Sequence, residues 1–342
     1  MQSLWSIVVG THLFAQERCM KNALILVAAF VLIFFVVFLR PSDAVYQWID
    51  EKGQIHITDY PQPIPEQGEF LRDNNKKHPL WKVSSGTNTV YLLGSVHLLK
   101  QDDYLIDRSI EEAYENSSQV LFEVNLDTTD EQKIQQLVIT KGTYTDARTL
   151  KDDLSNKTFE AARKFLSDMG MDIEQFKTFK PWLLATTLSI SELQRLGYDP
   201  SQGVDKFFYE KAKKDGKRVD GFETAEYQLS IFSDMPVSVQ DALLLQTMKE
   251  LHDLGMQFPL IIEAWKSGDS QALSNILLNS FKEYPGIYKA LLVDRNNKWL
   301  PKIQTLIGLK ENSLVIVGAA HLIGADGIIA SLKYKGYRVE RL

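Results

Sequence analysis

The feature that most constrains this chain is a short motif that occurs twice, once towards each end of its main body. Near the start of that body the sequence reads Thr89-Val-Tyr-Leu-Leu-Gly94-Ser-Val-His97-Leu98, and near its end Ser313-Leu-Val-Ile-Val-Gly318-Ala-Ala-His321-Leu322. Each copy is an apolar run rich in β-branched residues, then glycine, two small or apolar residues, and a histidine. The run predicts a buried strand, and glycine lets the backbone turn or approach another chain closely. The histidine then falls just past the strand's carboxyl end, the edge at which open α/β sheets bind ligands. Two such strands bring two histidines towards one metal ion or one substrate.

Composition narrows the chemistry. The hydrophobic fraction of 44% and charged fraction of 24% are those of an ordinary globular protein, and the length suits one large domain or two medium ones. A net charge of -6 and the lack of a long basic run argue against a nucleic-acid partner. The single cysteine, Cys19, rules out an intramolecular disulfide and speaks against cysteine-based zinc sites and papain-like catalysis. A metal here must be held by histidine and carboxylate. The signatures of zincins, α/β-hydrolases, P-loop enzymes and dinucleotide-binding folds are missing.

The N-terminal region stands apart. Ala23 to Leu39 is an unbroken apolar run between Lys21 and Arg40. As a signal peptide it is long, with Ser42-Asp-Ala44 as a cleavage site. As a signal anchor it is slightly short but within the spanning range. Both readings place the body outside the cytoplasm, the positive charges of Arg18 and Lys21 favouring an inside N-terminus. The expected organisation is a possible upstream-start extension at 1–19, a signal peptide or anchor at 20–44, a small β-hairpin module at 45–61, a linker at 62–78 and a main domain at 79–342. The hairpin rests on alternation of Tyr46, Trp48, Ile55 and Ile57 around Asp50-Glu-Lys-Gly53, with His56 as an outward residue. It resembles a small uncharacterised bacterial extracytoplasmic domain.

In the main domain, strands are expected at Trp81 to Val83, Thr89 to Leu93, Gln119 to Leu126, the Lys217–Phe222 stretch, Ser313 to Val317 and Tyr337 to Leu342. The middle reads as helical, including Phe159 to Met169, Pro181 to Leu196, Ser238 to Leu254 and Leu260 to Lys266. The fold class is mixed α/β: one central sheet from two β-α-β halves, with a large helical insertion.

Candidate site residues follow. His97 and His321 offer imidazole, the commonest metal ligand. Glu123 lies in the apolar run Gln119-Val-Leu-Phe-Glu123-Val, where an ionised acid must be paired, hydrogen-bonded or on a metal. Two histidines and a carboxylate form a ligand set for zinc, manganese or iron; the plain alternative for Glu123 is an ion pair with a core arginine or lysine. Glu223 sits at a strand-to-helix junction, as a ligand, a general base or a first-turn acid. Asp205, in Gly203-Val-Asp205, reads as a helix cap. Arg295 reads as an oxyanion stabiliser or a structural salt bridge.

Taken together, Gly94-Ser-Val-His97, Phe122-Glu123-Val-Asn125-Leu, Gly203-Val-Asp205, Gly221-Phe-Glu223-Thr with Gln228-Leu, Arg295-Asn with Trp299, and Gly318-Ala-Ala-His321 resemble the TraB/GumN family, related to the Tiki metalloproteases. The resemblance runs from about Trp81 to Leu342. It implies divalent-metal-dependent hydrolysis, with manganese or cobalt as the family expectation and peptide cleavage shown for the Tiki branch. The expectation is an extracytoplasmic metallopeptidase acting on a peptide or protein, its metal (manganese, cobalt or zinc) on His97, His321 and Glu123, with Glu223 taking a proton and Arg295 steadying the oxyanion. An uncleaved N-terminal segment would add a membrane contact. The rival expectation is a non-catalytic envelope protein whose paired histidines bind a ligand or hold the two halves together.

Overall fold

The computed structural model describes residues 46–49, 55–58, 78–84, 86, 88–103, 107–124, 131–278, 281 and 284–342. The apolar run at 23–39, the extension before it, Asn125 and nearly all of the 62–78 segment lie outside the described residues, as do the side chains of 46–49 and 55–58, His56 included. Strands β1 (Tyr46–Ile49) and β2 (Ile55–Thr58) pair antiparallel, Ile49 opposite Ile55, as the expected hairpin.

The main body is built on one six-stranded sheet. Its strands are β3 (Leu80–Ser84), β4 (Thr89–Ser95), β5 (Gln119–Val124), β6 (Arg218–Glu223), β7 (Ser313–Gly318) and β8 (Val339–Arg341), in the order β6-β5-β7-β4-β3-β8. The four strands β6, β5, β7 and β4 run parallel, and β3 is antiparallel to both its neighbours. Strand β7, buried at every residue, enters between β4 and β5. A strand covered on both faces reads as a continuous apolar run, which is why Ser313-Leu-Val-Ile-Val-Gly318 shows no alternation. The register sets Ser95 beside Gly318, Phe122 beside Ile316 and Val124 beside Glu223. Four carboxyl ends therefore finish on one edge of the sheet.

Helices cover the sheet. Helix α1 (Arg108–Glu115) joins β4 to β5, its first turn capped by Asp107 accepting from the Ser109 N–H. Between β5 and β6 come α2 (Glu131–Gly142), α3 (Asn156–Asp168), α4 (Pro181–Arg195) and α5 (Val204–Lys214). Between β6 and β7 come α6 (Ala225–Ser233), α7 (Val237–Lys266), α8 (Ser270–Leu278), the single turn α9 (Pro285–Tyr288) and α10 (Asp294–Ile307). The short α11 (Ala319–Leu322) and α12 (Ile328–Tyr334) lead to β8.

One expectation is corrected. The helices read separately at Ser238–Leu254 and Leu260–Lys266 are the single helix α7, which runs through Gly255 and Pro259. The apolar face continues without a break through Leu251, Leu254, Phe258, Ile261, Ile262 and Trp265, all buried. That burial outweighs the one backbone bond a proline removes. Among the described residues no helix is long and apolar enough to cross a membrane.

Candidate functional site

The aligned strand ends gather a buried polar cluster. Glu123, at the penultimate position of β5, lies at its centre and is 4% exposed. Its Oε1 accepts from the Gly318 N–H at 2.8 Å, and its Oε2 from Arg295 Nη2 at 2.6 Å and Gln228 Nε2 at 3.2 Å. The Nε2 atoms of His97 and His321 lie 4.0 and 3.6 Å from Oε1. Of the two readings of Glu123, the ion pair with a core arginine is present, and the carboxylate also faces both histidines. Gly318 forms the floor, since a Cβ there would stand 3.2 Å from Glu123 Oε1 and 3.4 Å from His97 Nε2.

His97 follows β4 directly. Its Nδ1 lies 2.7 Å from Asp205 Oδ2, while Ser95 Oγ donates to Asp205 Oδ1 at 2.8 Å. Asp205 is therefore not the helix cap expected from the sequence. Gly203 occupies the cap position of α5, and the Asp205 carboxylate turns inward instead. Burial alone pulls the His97 pKa down, but the Asp205 carboxylate and then Glu123 outweigh it, and the net shift is upward.

His321 sits in α11 just beyond β7. A guanidinium can only donate, so Arg295 Nη1, 3.0 Å away, makes His321 Nε2 an acceptor. The ring proton is then on Nδ1 and is donated to Asn296 Oδ1 at 2.7 Å. Asn296 Nδ2 donates to the carbonyls of His321 and Asp326, which fixes its amide orientation. Burial and the Arg295 charge pull the His321 pKa down to about 3. The ring packs on Trp299, with centroids 4.4 Å apart.

Arg295 is fully buried in the first turn of α10. It is preceded by a π-helical turn, Lys289–Val293, a feature often found at functional sites. Its Nε donates to Glu223 Oε1 at 2.6 Å, Nη1 to the Leu291 carbonyl at 3.1 Å and to His321, and Nη2 to Glu123, with Glu223 Oε1 also 2.5 Å from Nη2. All three guanidinium nitrogens are thus engaged in hydrogen bonds, four in number, with the second Nη2 contact to Glu223 an ion pair. The salt-bridge reading of Arg295 is thus realised. Two carboxylates share it unequally. Burial pushes the Glu123 pKa up, but Arg295, both histidines and the Gly318 N–H hold it well below the usual range. Glu223 ends up raised, burial outweighing Arg295, and its Oε2 has no hydrogen-bond partner among the described residues.

The donor set fits a divalent cation in chemistry. Imidazole nitrogens and a carboxylate are the donors such ions take, and each histidine is tied at Nδ1 as metal ligands are. Two bonds of about 2.1 Å span at most ~4.2 Å, and the Nε2–Oε1 separations of 4.0 and 3.6 Å lie inside that. Three carboxylates, Glu123, Glu223 and Asp205, surround this site with Arg295 as the cation they share or neighbour. The shell is not preassembled. Among the described residues no three histidine, cysteine or acidic side chains already form a metal-holding group, and Arg295 Nη1 occupies the His321 lone pair.

The structure brings together His97, His321, Glu123, Glu223 and Arg295, and adds Asp205, Ser95, Asn296 and Gln228. A signal for Asp205, Gln228 and Asn296 was present. Asp205 shares the buried face of α5 with Phe208 and Ala212, Gln228 that of α6 with Leu229 and Phe232, and Asn296 that of α10 with Trp299 and Ile303. A polar residue on an apolar face needs partners.

Residues 79–341 match the model of the TraB/PrgY/gumN family, and the chain belongs to that family. It is similar to the uncharacterized protein YbaP of Escherichia coli (strain K12), 23% identical over 264 residues, which is 77% of this chain and 95% of that protein. The uncharacterized protein YbaP of Shigella flexneri matches to the same extent. No solved structure matches the chain.

Proposed function

We propose that this TraB/PrgY/gumN protein is a divalent-metal-dependent hydrolase of peptide bonds that works outside the cytoplasm. The observation that supports it best is the pair of histidines, each tied at Nδ1 and turned at Nε2 towards one oxygen of Glu123. His97, His321 and Glu123 would hold the ion. When bound, it would polarise the scissile carbonyl and lower the pKa of a water.

The chain's own groups divide the remaining work. Glu223, pushed up in pKa by burial and without a hydrogen-bond partner at Oε2 among the described residues, takes a proton at that atom. Gln228 donates from Nε2 to both Glu123 Oε2 and Glu223 Oε1, at 3.2 and 3.4 Å, and keeps the carboxylates apart. Arg295 holds both acids in place. For His321 to hold the ion, its Nε2 would have to give up the hydrogen bond it accepts from Arg295 Nη1. The extracytoplasmic site of action rests on the apolar run Ala23 to Leu39 and its flanking charges.

The rival, a non-catalytic binding protein, is favoured by one observation: Arg295 already serves as the resident cation of the cluster. Turnover decides between them. The full chain with added manganese, cobalt or zinc should cleave members of a peptide library and stop with chelator. Glu223→Gln should keep the metal and lose roughly 100- to 10,000-fold in kcat. Metal-loaded protein that cleaves nothing supports the binding reading.

A further inference from the structure

We propose that Asp205 is the positioning residue of His97: it takes the Nδ1 proton in a hydrogen bond and so presents Nε2 towards Glu123. The inference rests on the metal-site reading above. Asp205 is 6% exposed and His97 7%. Both carboxylate oxygens are committed, Oδ2 to His97 Nδ1 at 2.7 Å and Oδ1 to Ser95 Oγ at 2.8 Å. An ionised carboxylate only accepts, so the proton between it and the ring belongs to Nδ1. In the neutral ring Nε2 is then the atom with a lone pair to offer.

The backbone around the pair is built for this contact. Val204 N donates to the Val96 carbonyl at 3.0 Å, and Leu99 and Asp199 exchange bonds of 3.4 and 2.9 Å. The segment leading into α5 is thereby stitched to the segment leaving β4. Gly203 lies so close that a Cβ there would stand 2.4 Å from the His97 carbonyl oxygen. Ser95, the last residue of β4, fixes the other oxygen of the acid from the sheet itself.

The second histidine has a counterpart of different charge. Asn296 accepts from His321 Nδ1 at 2.7 Å, where the ring abuts Arg295. A neutral amide orients His321 without adding an anion beside Glu123 and Glu223. The carboxylate at His97 both orients the ring and strengthens Nε2 as a donor. The two halves of the motif therefore carry matched histidines with unmatched clamps.

Asp205→Asn and Asp205→Ala in the full chain test this, with Mn(II) and Zn(II) alone as probes. Both variants should bind either ion about 10- to 100-fold more weakly by titration calorimetry, with Asp205→Ala the weaker. In the metal-free protein, at a pH where the ring is neutral, ¹⁵N signals of the His97 ring, assigned with His97→Gln, should show the Nδ1–H form in the parent and its loss in Asp205→Ala. A residue with only a structural part would lower the melting temperature and leave the ring form unchanged. Metal affinity equal to the parent's in both variants overturns the proposal. Should the parent take up no metal, the metal-site reading falls, and the ring spectrum alone judges Asp205: persistence of the Nδ1–H form in Asp205→Ala overturns it, and loss of that form upholds it.

Discussion

Arg295 carries the electrostatics of the cluster, because its planar fork reaches Glu123, Glu223, His321 and the Leu291 carbonyl at once. Removing it would strand two buried carboxylates, and breaking a buried pair from one side costs roughly 3–5 kcal/mol. Arg295→Met should lower the melting temperature accordingly, and Arg295→Lys should restore little, since one ammonium cannot reproduce the fork; a variant as stable as the parent would contradict this. His321 makes a second prediction. Its pKa is near 3 in the folded protein and about 6.5 in an unfolded chain. Between those values the unfolded chain binds the extra proton, so stability is full above about pH 6.5 and falls as pH drops towards 3. Glu123, depressed in the fold, adds to the loss below the ordinary carboxylate range. His97, raised in the fold, contributes below about pH 6.5 and loses that contribution as pH rises further. Melting of the metal-free protein between pH 7 and 4 should therefore be steeper in the parent than in His321→Gln; equal slopes would contradict the neutral buried ring. The five site residues were legible because each breaks a local pattern or ends a strand. Asp205 was misread because an acid two residues past a glycine looks the same in sequence whether it caps a helix or turns inward.

Elements position these groups more than loops do. The π-helical turn Lys289–Val293 precedes α10, and Arg295, Asn296 and Trp299 all follow it on the buried face. The glycines work at element junctions. At Gly203 a Cβ would meet the His97 backbone oxygen, and at Gly318 it would enter the space between Glu123 and His97. Gly203→Ala should thus destabilise the fold through a backbone shift. Gly318→Ala should leave melting nearer the parent's and weaken metal uptake, read by calorimetry; the reverse order would show that the floor and the stitch are misassigned. Strand and helix identities were readable from local periodicity, but sheet order was not. That β7 enters between β4 and β5 depends on pairings such as Val90 with Ser313, and no local pattern encodes them. The continuity of α7 through Pro259 was hidden for the opposite reason: a strong local breaker is overruled by burial at Phe258 and Ile261.

At the scale of the molecule, one sheet edge collects groups from β4, β5, β6, α5, α6, α10 and α11. The duplicated strand-Gly-x-x-His motif delivers the two histidines to the ends of the adjacent strands β4 and β7, on either side of Glu123. The most direct test is metal content by mass spectrometry on the full chain, purified without chelator or histidine tag and offered manganese, cobalt and zinc, beside the His97→Ala/His321→Ala double variant. About one equivalent of one of these ions is expected in the parent and none in the variant, with both proteins folded. A folded parent that takes up none of the three, or a double variant that binds as much as the parent, would contradict that expectation.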